Sequence, residues 1–130
     1  MTEKNGPISN VIQDAIITAN MKSVLKELIA NMNSLEKKLA LFEFQDNLRD
    51  FWHYIPIERH GLTIENAQIS TVRKIWDLIS VALSQKGLHL VKKIMKHELI
   101  LKDIEDRADK KFFIRSDERY WFSIYGSPEE

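Results

Sequence analysis

The residue that most strongly suggests chemistry is Glu98, a carboxylate inside a stretch of helical apolar spacing. When residues 88–104 are placed on a helix at about 100° per residue, Glu98 falls near the middle of an apolar arc. The arc consists of Leu90, Val91, Ile94, Met95, Leu99 and Leu101. A carboxylate on such a face has to bind a cation or hydrogen-bond donors, or else remain protonated.

Four basic side chains are the candidate partners of Glu98 and, with it, the candidate catalytic residues: Arg49, Arg59, Arg115 and His53. One interpretation makes Glu98 a general acid or base in an active site. The other makes it one half of a buried ion pair that ties residues 51–60 to a helical hairpin. We favour the ion pair and keep the catalytic interpretation open.

His53 belongs to a segment in which the side chains alternate with a period of two. Phe51, His53, Ile55 and Ile57 lie on one side, and Trp52, Tyr54 and Pro56 lie on the other. This pattern predicts a short strand at a sheet edge, because a proline cannot donate a ladder hydrogen bond. His53 then lies among apolar residues, where a hydrogen-bonded core histidine is more common than a catalyst.

Metal and cofactor sites have no support in the sequence. His97 and Glu98 begin like the helix motif of zinc proteases, but Leu101 stands where that motif needs its second histidine. His89 is about two helical turns from His97, too far for both to bind one metal without further ligands. The chain has no cysteine, no glycine-rich phosphate loop and no nucleophile-elbow serine. We therefore expect neither a metal nor a cofactor.

The charge balance argues against nucleic acid as a partner. Among 130 residues, 19 are Lys or Arg and 19 are Asp or Glu, so no overall field attracts phosphate backbones. Lysines at 86, 92, 93 and 96 form a local basic stripe that we interpret as a solvated helix face rather than an anion-binding surface. No apolar run approaches a membrane span, and the N-terminus does not resemble a signal peptide. We expect a soluble protein in the cytoplasm, without nucleic acid or membrane.

Two helices are predicted in the N-terminal region. The first covers residues 10–32 and is opened by a capping-box-like signal at Asn10. A second such signal, Asn33 followed by Glu36, predicts a break near 31–34. Apolar residues at alternating spacings of four and three run through both helices: Met21, Leu25, Leu28, Met32, Leu35, Leu39 and Phe42. This seam could form a coiled-coil dimer, but we favour an intramolecular packing face.

The rest of the chain predicts a helical hairpin over 66–106, with Gly87 at the C-terminus of its first helix, and a second strand over 120–125. The fold class is mainly α, a helical bundle with a central αα-hairpin and a minor two-stranded β element. Whether the strands at 51–57 and 119–125 pair is left open. We expect one domain, 1–130, in five parts: a flexible N-terminus at 1–9, helices at 10–45, strand and loop at 46–65, the hairpin at 66–106, and a turn with the C-terminal strand at 107–130.

Several segments, in order, resemble the DUF3500 family (domain of unknown function 3500), which is found mainly in bacteria. The specific pieces are Trp52-His53-Tyr54-x-Pro56 and Tyr120-x-Phe122-Ser123-Ile124-Tyr125-Gly126-x-Pro128. The other pieces are Phe42-x-Phe44-x-Asp46-x-x-Arg49, Gly61-Leu62, Leu83-Ser84-x-x-Gly87, Ile94-Met95-x-x-Glu98-x-x-Leu101 and Arg115. The resemblance implies no established activity. The family pattern continues into a second half with a paired-histidine motif, so we expect this chain to be the N-terminal portion, a truncated family member.

Two function hypotheses remain. In the first, the chain is a non-catalytic helical module that pairs with itself or with another polypeptide through its C-terminal aromatic strand or its N-terminal helical seam. In the second, it is an enzyme or small-ligand-binding protein that uses Glu98, His53 and nearby arginines. An open cleft that contains Glu98, His53 and an arginine would favour the second hypothesis.

Overall fold

The computed structural model describes residues 7–55, 57–110 and 113–129, and its N-terminal region contains two helices. Helix α1 spans Pro7–Asn31 and helix α2 spans Ser34–Ala40. The break between them is confirmed, because Asn33 and Glu36 form the predicted capping box. The predicted cap at Asn10 is wrong: α1 already begins at Pro7, a residue type that suits the first helical turn.

Glu36 also joins α2 to the next long helix, α3, which spans Ile69–Ala82. Its side chain is only 2% exposed. Oε2 accepts hydrogen bonds from the N–H of Asn33 (3.0 Å) and from Oγ1 of Thr71 (2.9 Å), and Oε1 accepts one from the N–H of Gln68 (2.7 Å). Three donors on two helix N-termini therefore satisfy one buried carboxylate, as a buried charge requires.

The core lies where the second half of α1 packs on α3. Its buried apolar residues are Leu28, Met32, Ala40, Leu62, Ile75 and Ile124. The intramolecular interpretation of the N-terminal seam is confirmed for Leu28 and Met32, which are buried in this core. Leu35 and Leu39, which lie on α2 beyond the helix break at Asn33, are exposed instead.

The predicted hairpin is confirmed, with α3 followed closely by α4, Gln85–Arg107. The role predicted for Gly87 is wrong. Helix α3 ends at Ala82, and Ser84 caps the start of α4 by accepting a hydrogen bond from the N–H of Gly87 (3.1 Å) on its Oγ. Gly87 thus lies in the first turn of α4, since a side-chain cap at Ser84 starts the new helix earlier.

Four strands of two residues each form two small sheets. Strand β1, Leu41–Phe42, pairs in parallel with β4, Ile124–Tyr125. Strand β2, Leu62–Thr63, pairs antiparallel with β3, Trp121–Phe122. The mainly α fold class with a minor β element is therefore confirmed, and so is a C-terminal strand region. Its partners are β1 and β2, not residues 51–57.

The strand predicted at 51–57 is wrong. Residues 51–55 and 57 contain no strand and follow a short 3₁₀ helix, Asn47–Asp50; Pro56 lies outside the described residues. The guanidinium of Arg59 explains the difference. It donates to the carbonyls of His53 (2.8 Å), Ile55 (3.2 Å) and Ile57 (2.9 Å). These alternate carbonyls are the groups that a neighbouring strand would have used.

Within the described residues, none of the helices is long and apolar enough to cross a membrane.

Candidate functional site

An open cavity of about 720 Å³ lies between α4, the segment that precedes β2 and the segment that follows α4. Its walls come from Tyr54, residues 57–59, Glu98 and residues 113–116 and 119–121, and they combine charged and aromatic side chains. Three of the five predicted site residues line it: Glu98, Arg59 and Arg115. Cavities of this size are typical of small-molecule sites.

Glu98 forms its ion pair with Arg115, one of the four predicted partners. Oε2 of Glu98 lies 3.2 Å from Nη1 of Arg115, and the Glu98 side chain remains 26% exposed. The prediction that Glu98 ties residues 51–60 to the hairpin is wrong, because its partner belongs to the segment that follows α4. The ion pair instead attaches that later segment to the helix.

Arg115 has a second and closer carboxylate partner, Glu105. Its Nη2 lies 2.9 Å from Oε1 of Glu105, and its Nε lies 3.3 Å from each Glu105 oxygen. The hydrogen bonds to Glu105 raise the pKa of Arg115. Burial of the guanidinium lowers this pKa, and Glu98 raises it. Glu105 was missed in the sequence, although its spacing of seven residues from Glu98 places both carboxylates on one helix face, two turns apart.

His53 and Arg49 lie outside the cavity walls. The His53 side chain is exposed and its ring packs edge-on against Phe51, with centroids 4.6 Å apart. The prediction that His53 points into the protein is wrong, because there is no strand to turn it inward. Arg49 is exposed, and its guanidinium lies 4.2 Å from the centroid of the Phe44 ring. The structure thus brings Glu98 together with two arginines but not with the histidine.

Tyr120 adds a phenol to the cavity wall. Burial raises the pKa of Tyr120, the negative charge of Glu98 raises it further, and Arg115 opposes this. The phenol keeps its proton at neutral pH and can donate a hydrogen bond to a ligand in the cavity.

A second polar centre, at His60, was missed by the sequence analysis. Nε2 of His60 and the hydroxyl of Tyr125 share a hydrogen bond, and the His60 ring packs edge-on against Phe42 and Phe51. Nδ1 of His60 is buried and has no hydrogen-bond partner in the described part of the chain. Burial raises the pKa of Tyr125. A hydrogen bond with Ser123 lowers this pKa, and the negative charge of Asp46 raises it. The histidine lies in a loop, so no periodic pattern marked it.

The chain also exposes an unusually large surface. Its accessible area is 10054 Å², whereas a compact monomer of 15.3 kDa exposes about 7,100 Å². Part of the excess comes from the first half of α1, where residues 10–20 are all exposed. Another part comes from α4, in which Met95 is the one buried residue.

Four exposed apolar residues of α4 lie along one line, which we call the α4 stripe: Leu90, Ile94, Leu101 and Ile104; Leu99 and Ile100 are also exposed but lie outside this line. They are between 39% and 56% exposed. Most of the apolar arc predicted around Glu98 therefore faces solvent in this chain. A helical wheel identifies an apolar face but cannot supply the element that covers it.

No group of three or more metal-ligating side chains occurs among the described residues.

Comparison with known proteins gives a family but no described function. No curated protein and no solved structure matches the chain. The sequence pattern of the family described as "Protein of unknown function (DUF3500)" matches residues 14–130. Because the match covers most of its length, this chain belongs to the DUF3500 family.

Proposed function

We propose that this chain is a non-catalytic helical module that binds polypeptide through the α4 stripe, and that the occupant is a second copy of the chain. The observation that carries the proposal is the exposed apolar line on a helix that contributes little to the core. The whole chain exposes about 2,900 Å² more than a compact monomer of its mass, and each partner in a standard protein interface buries roughly 800 Å².

The spacing of the α4 stripe favours a helix as the opposing surface. The intervals from Leu90 through Ile94, His97 and Leu101 to Ile104 are four, three, four and three, which is the spacing of a coiled-coil seam. At about 100° per residue, these side chains fall within an arc of about 80°.

The charges of α4 favour an antiparallel pair. Residues 85–97 contain four lysines and no acidic residue, whereas residues 98–107 contain four acidic and two basic residues. A parallel pair would place the lysines of the two copies side by side. An antiparallel pair places the basic half of each helix beside the acidic half of the other, with the two-fold axis near His97.

The mass in solution tests this proposal. We expect size-exclusion chromatography with light scattering to give twice the 15.3 kDa of one chain, with a monomer fraction that grows on dilution. Ile94→Glu and Leu101→Glu place a charge in the seam, so each is expected to give a monomer with unchanged helix content.

Leu35→Glu is the matched control, because Leu35 is exposed but lies on α2, in the N-terminal seam. The control is expected to remain dimeric. If Leu35→Glu alone separates the copies, the N-terminal seam is the interface and the α4 proposal is wrong. A monomer at every concentration up to about 1 mM, without binding of an apolar dye, would reject self-association altogether.

The C-terminal aromatic strand is a weaker candidate for docking than predicted. Strands β3 and β4 already pair with β2 and β1, so each uses one edge within the chain. The prediction assumed that the C-terminal strand leaves an unpaired edge open to another chain, and these pairings reduce that open edge.

The enzyme hypothesis is less well supported than the docking hypothesis. The cavity contains Glu98, Arg59 and Arg115, but His53 points to solvent elsewhere. Glu98 and Arg115 also engage each other, which removes the free carboxylate that general acid or base catalysis would use.

Two expectations from the sequence stay predictions: a cytoplasmic location and the absence of nucleic-acid partners.

A further inference from the structure

We propose that the cavity beside α4 is a binding site for a small organic carboxylate with an aromatic body, and that Arg59 is the cation that anchors it. This site is separate from the α4 stripe, and it does not depend on pairing between two copies of the chain.

The three arginines in the cavity wall differ in how far their charge is compensated. Arg115 lies between the carboxylates of Glu98 and Glu105. Arg119 has one carboxylate, that of Glu65, at 3.5 Å. Arg59 forms no ion pair with any carboxylate in the described part of the chain, although it is half-buried. A half-buried cation without a counter-ion favours binding of an anion.

Arg59 is also held in place before any ligand binds. Its two Nη atoms donate to three backbone carbonyls in residues 53–57. A guanidinium has five N–H donors, so these three bonds leave Nε–H and one Nη1–H for a ligand. Neutral carbonyls fix the orientation of the group without cancelling its charge. Such pre-organisation lowers the entropy cost of binding.

An aromatic platform stands beside this cation. The guanidinium carbons of Arg59 and Arg119 lie 6.0 Å and 5.8 Å from the centroid of the Trp121 ring. Trp121 and Tyr120 both line the cavity, so a flat apolar body can pack against rings while its charged end reaches Arg59.

The charges around the cavity favour a singly charged anion over a dianion. The wall contains three arginines and two glutamates, Glu58 and Glu98, and two of the arginines also pair with Glu105 and Glu65, so Arg59 is the cation left for a ligand. A carboxylate matches this charge and the fork of a guanidinium. A phosphate dianion would meet repulsion from both glutamates.

Ligand titrations followed by ¹⁵N nuclear magnetic resonance of the full chain test the proposal. Benzoate is expected to shift the Trp121 indole N–H and the Arg59 Nε–H signals saturably, with a millimolar or tighter dissociation constant. Benzamide has the same shape without the charge, so we expect it to bind about tenfold or more weakly. Inorganic phosphate is expected to bind less tightly than benzoate.

Substitutions separate Arg59 from the other cations. Arg59→Gln is expected to abolish the saturable shift at Trp121, whereas Arg49→Gln, which removes an exposed arginine outside the cavity, leaves it unchanged. Ile94→Glu also leaves benzoate binding unchanged, so failure of the dimer and failure of the ligand site can be told apart.

Three results would overturn the carboxylate site: no saturable shift up to about 10 mM benzoate, equal binding of benzamide, or tighter binding of phosphate. These comparisons use the unmodified protein. They therefore decide the question even if Arg59→Gln releases residues 51–57 from their present conformation.

Discussion

At the scale of single residues, the buried carboxylate of this protein is Glu36 rather than Glu98. Glu36 is 2% exposed and bonded to three donors, whereas the Glu98 side chain is 26% exposed and bonded to an arginine. The capping box orients Glu36 toward the start of its own helix, and the N-terminus of α3 docks at that point. One side chain thus satisfies backbone donors at the ends of two helices.

Glu36→Gln is expected to lower the free energy of unfolding by about 2 to 3 kcal/mol. An amide has one acceptor oxygen, so its NH₂ group would face an N–H or hydroxyl donor that the carboxylate now accepts. Urea denaturation measures the change. Glu27→Gln is the control, because Glu27 forms an exposed ion pair with Lys74 and is expected to change stability by less than about 1 kcal/mol. Equal stability of the two variants would contradict the bridging role of Glu36.

Tyr120 and Tyr125 give the chain a defined response to alkaline pH. Burial raises the pKa of both phenols in the folded state. The unfolded state therefore loses these protons first, near the ordinary tyrosine value of about 10. The stability is fully present below that pH and is lost as the pH rises through the folded values.

The expected result is a free energy of unfolding that falls as the pH rises above about 10, with a smaller fall in Tyr125→Phe. Tyr125→Phe also loses the hydrogen bond with His60, so its stability at neutral pH is lower by about 1 kcal/mol. Guanidinium titrations at several pH values measure both effects. Tyr54→Phe, at an exposed position, should reproduce the pH dependence of the parent chain. A Tyr125→Phe curve parallel to the parent curve would contradict this assignment.

The predictions about single residues were wrong where they depended on which distant segment packs against the residue. The wheel that placed Glu98 on an apolar face was geometrically sound, but α4 is covered on one side only. Arg115 could be chosen as a candidate partner of Glu98, yet four candidates were equivalent because the sequence does not state how distant segments meet. Glu105 and His60 lie among other polar residues in the sequence, so their positions did not stand out, and both were missed.

At the scale of elements, local signals located the helices well. The break at Asn33 and the hairpin of α3 and α4 follow from caps and apolar spacing, which act within a few residues. The strands were harder, because β1 and β2 have two residues each and cannot display an alternation. In residues 51–57 the alternation was present, but a side chain took the place of the expected strand.

Gly61 controls how β2 approaches β3, and its replacement tests that contact. Its φ is +118°, and a Cβ atom there would lie 2.6 Å from Oγ of Ser123 and 2.9 Å from the carbonyl oxygen of Phe122. Gly61→Ala is expected to lower the unfolding free energy by about 2 kcal/mol or more, since strain and a backbone collision add. Urea denaturation measures it.

Two variants accompany this test. Gly87→Ala is the matched control: its Cβ would lie 3.3 Å from Oγ of Ser84 in the first turn of a helix, so we expect a change within about 1 kcal/mol. Adding Ser123→Ala to Gly61→Ala should not restore stability, because the carbonyl of Phe122 remains. Full rescue by Ser123→Ala would show that the side chain alone is responsible.

At the scale of the whole molecule, the fold class followed from the sequence but the candidate site did not. Helix content and patterning are local, whereas the cavity brings together residues 57–59, Glu98 and residues 113–116, which are distant in sequence. The large accessible surface also appears only when the elements are assembled. It is the reason to expect that the stability of this chain depends on its concentration, as in any protein that associates in its folded state.

The contact between Arg59 and residues 53–57 has a consequence for how the chain behaves in a crowded solution. Residues 52–55 expose Trp52, Tyr54 and Ile55, and an extended segment with such side chains is prone to recruit strands from other molecules into aggregates. Arg59 occupies three alternate carbonyls, so an incoming strand finds those acceptors already bound. We therefore expect Arg59 to limit aggregation of the chain through this exposed aromatic segment.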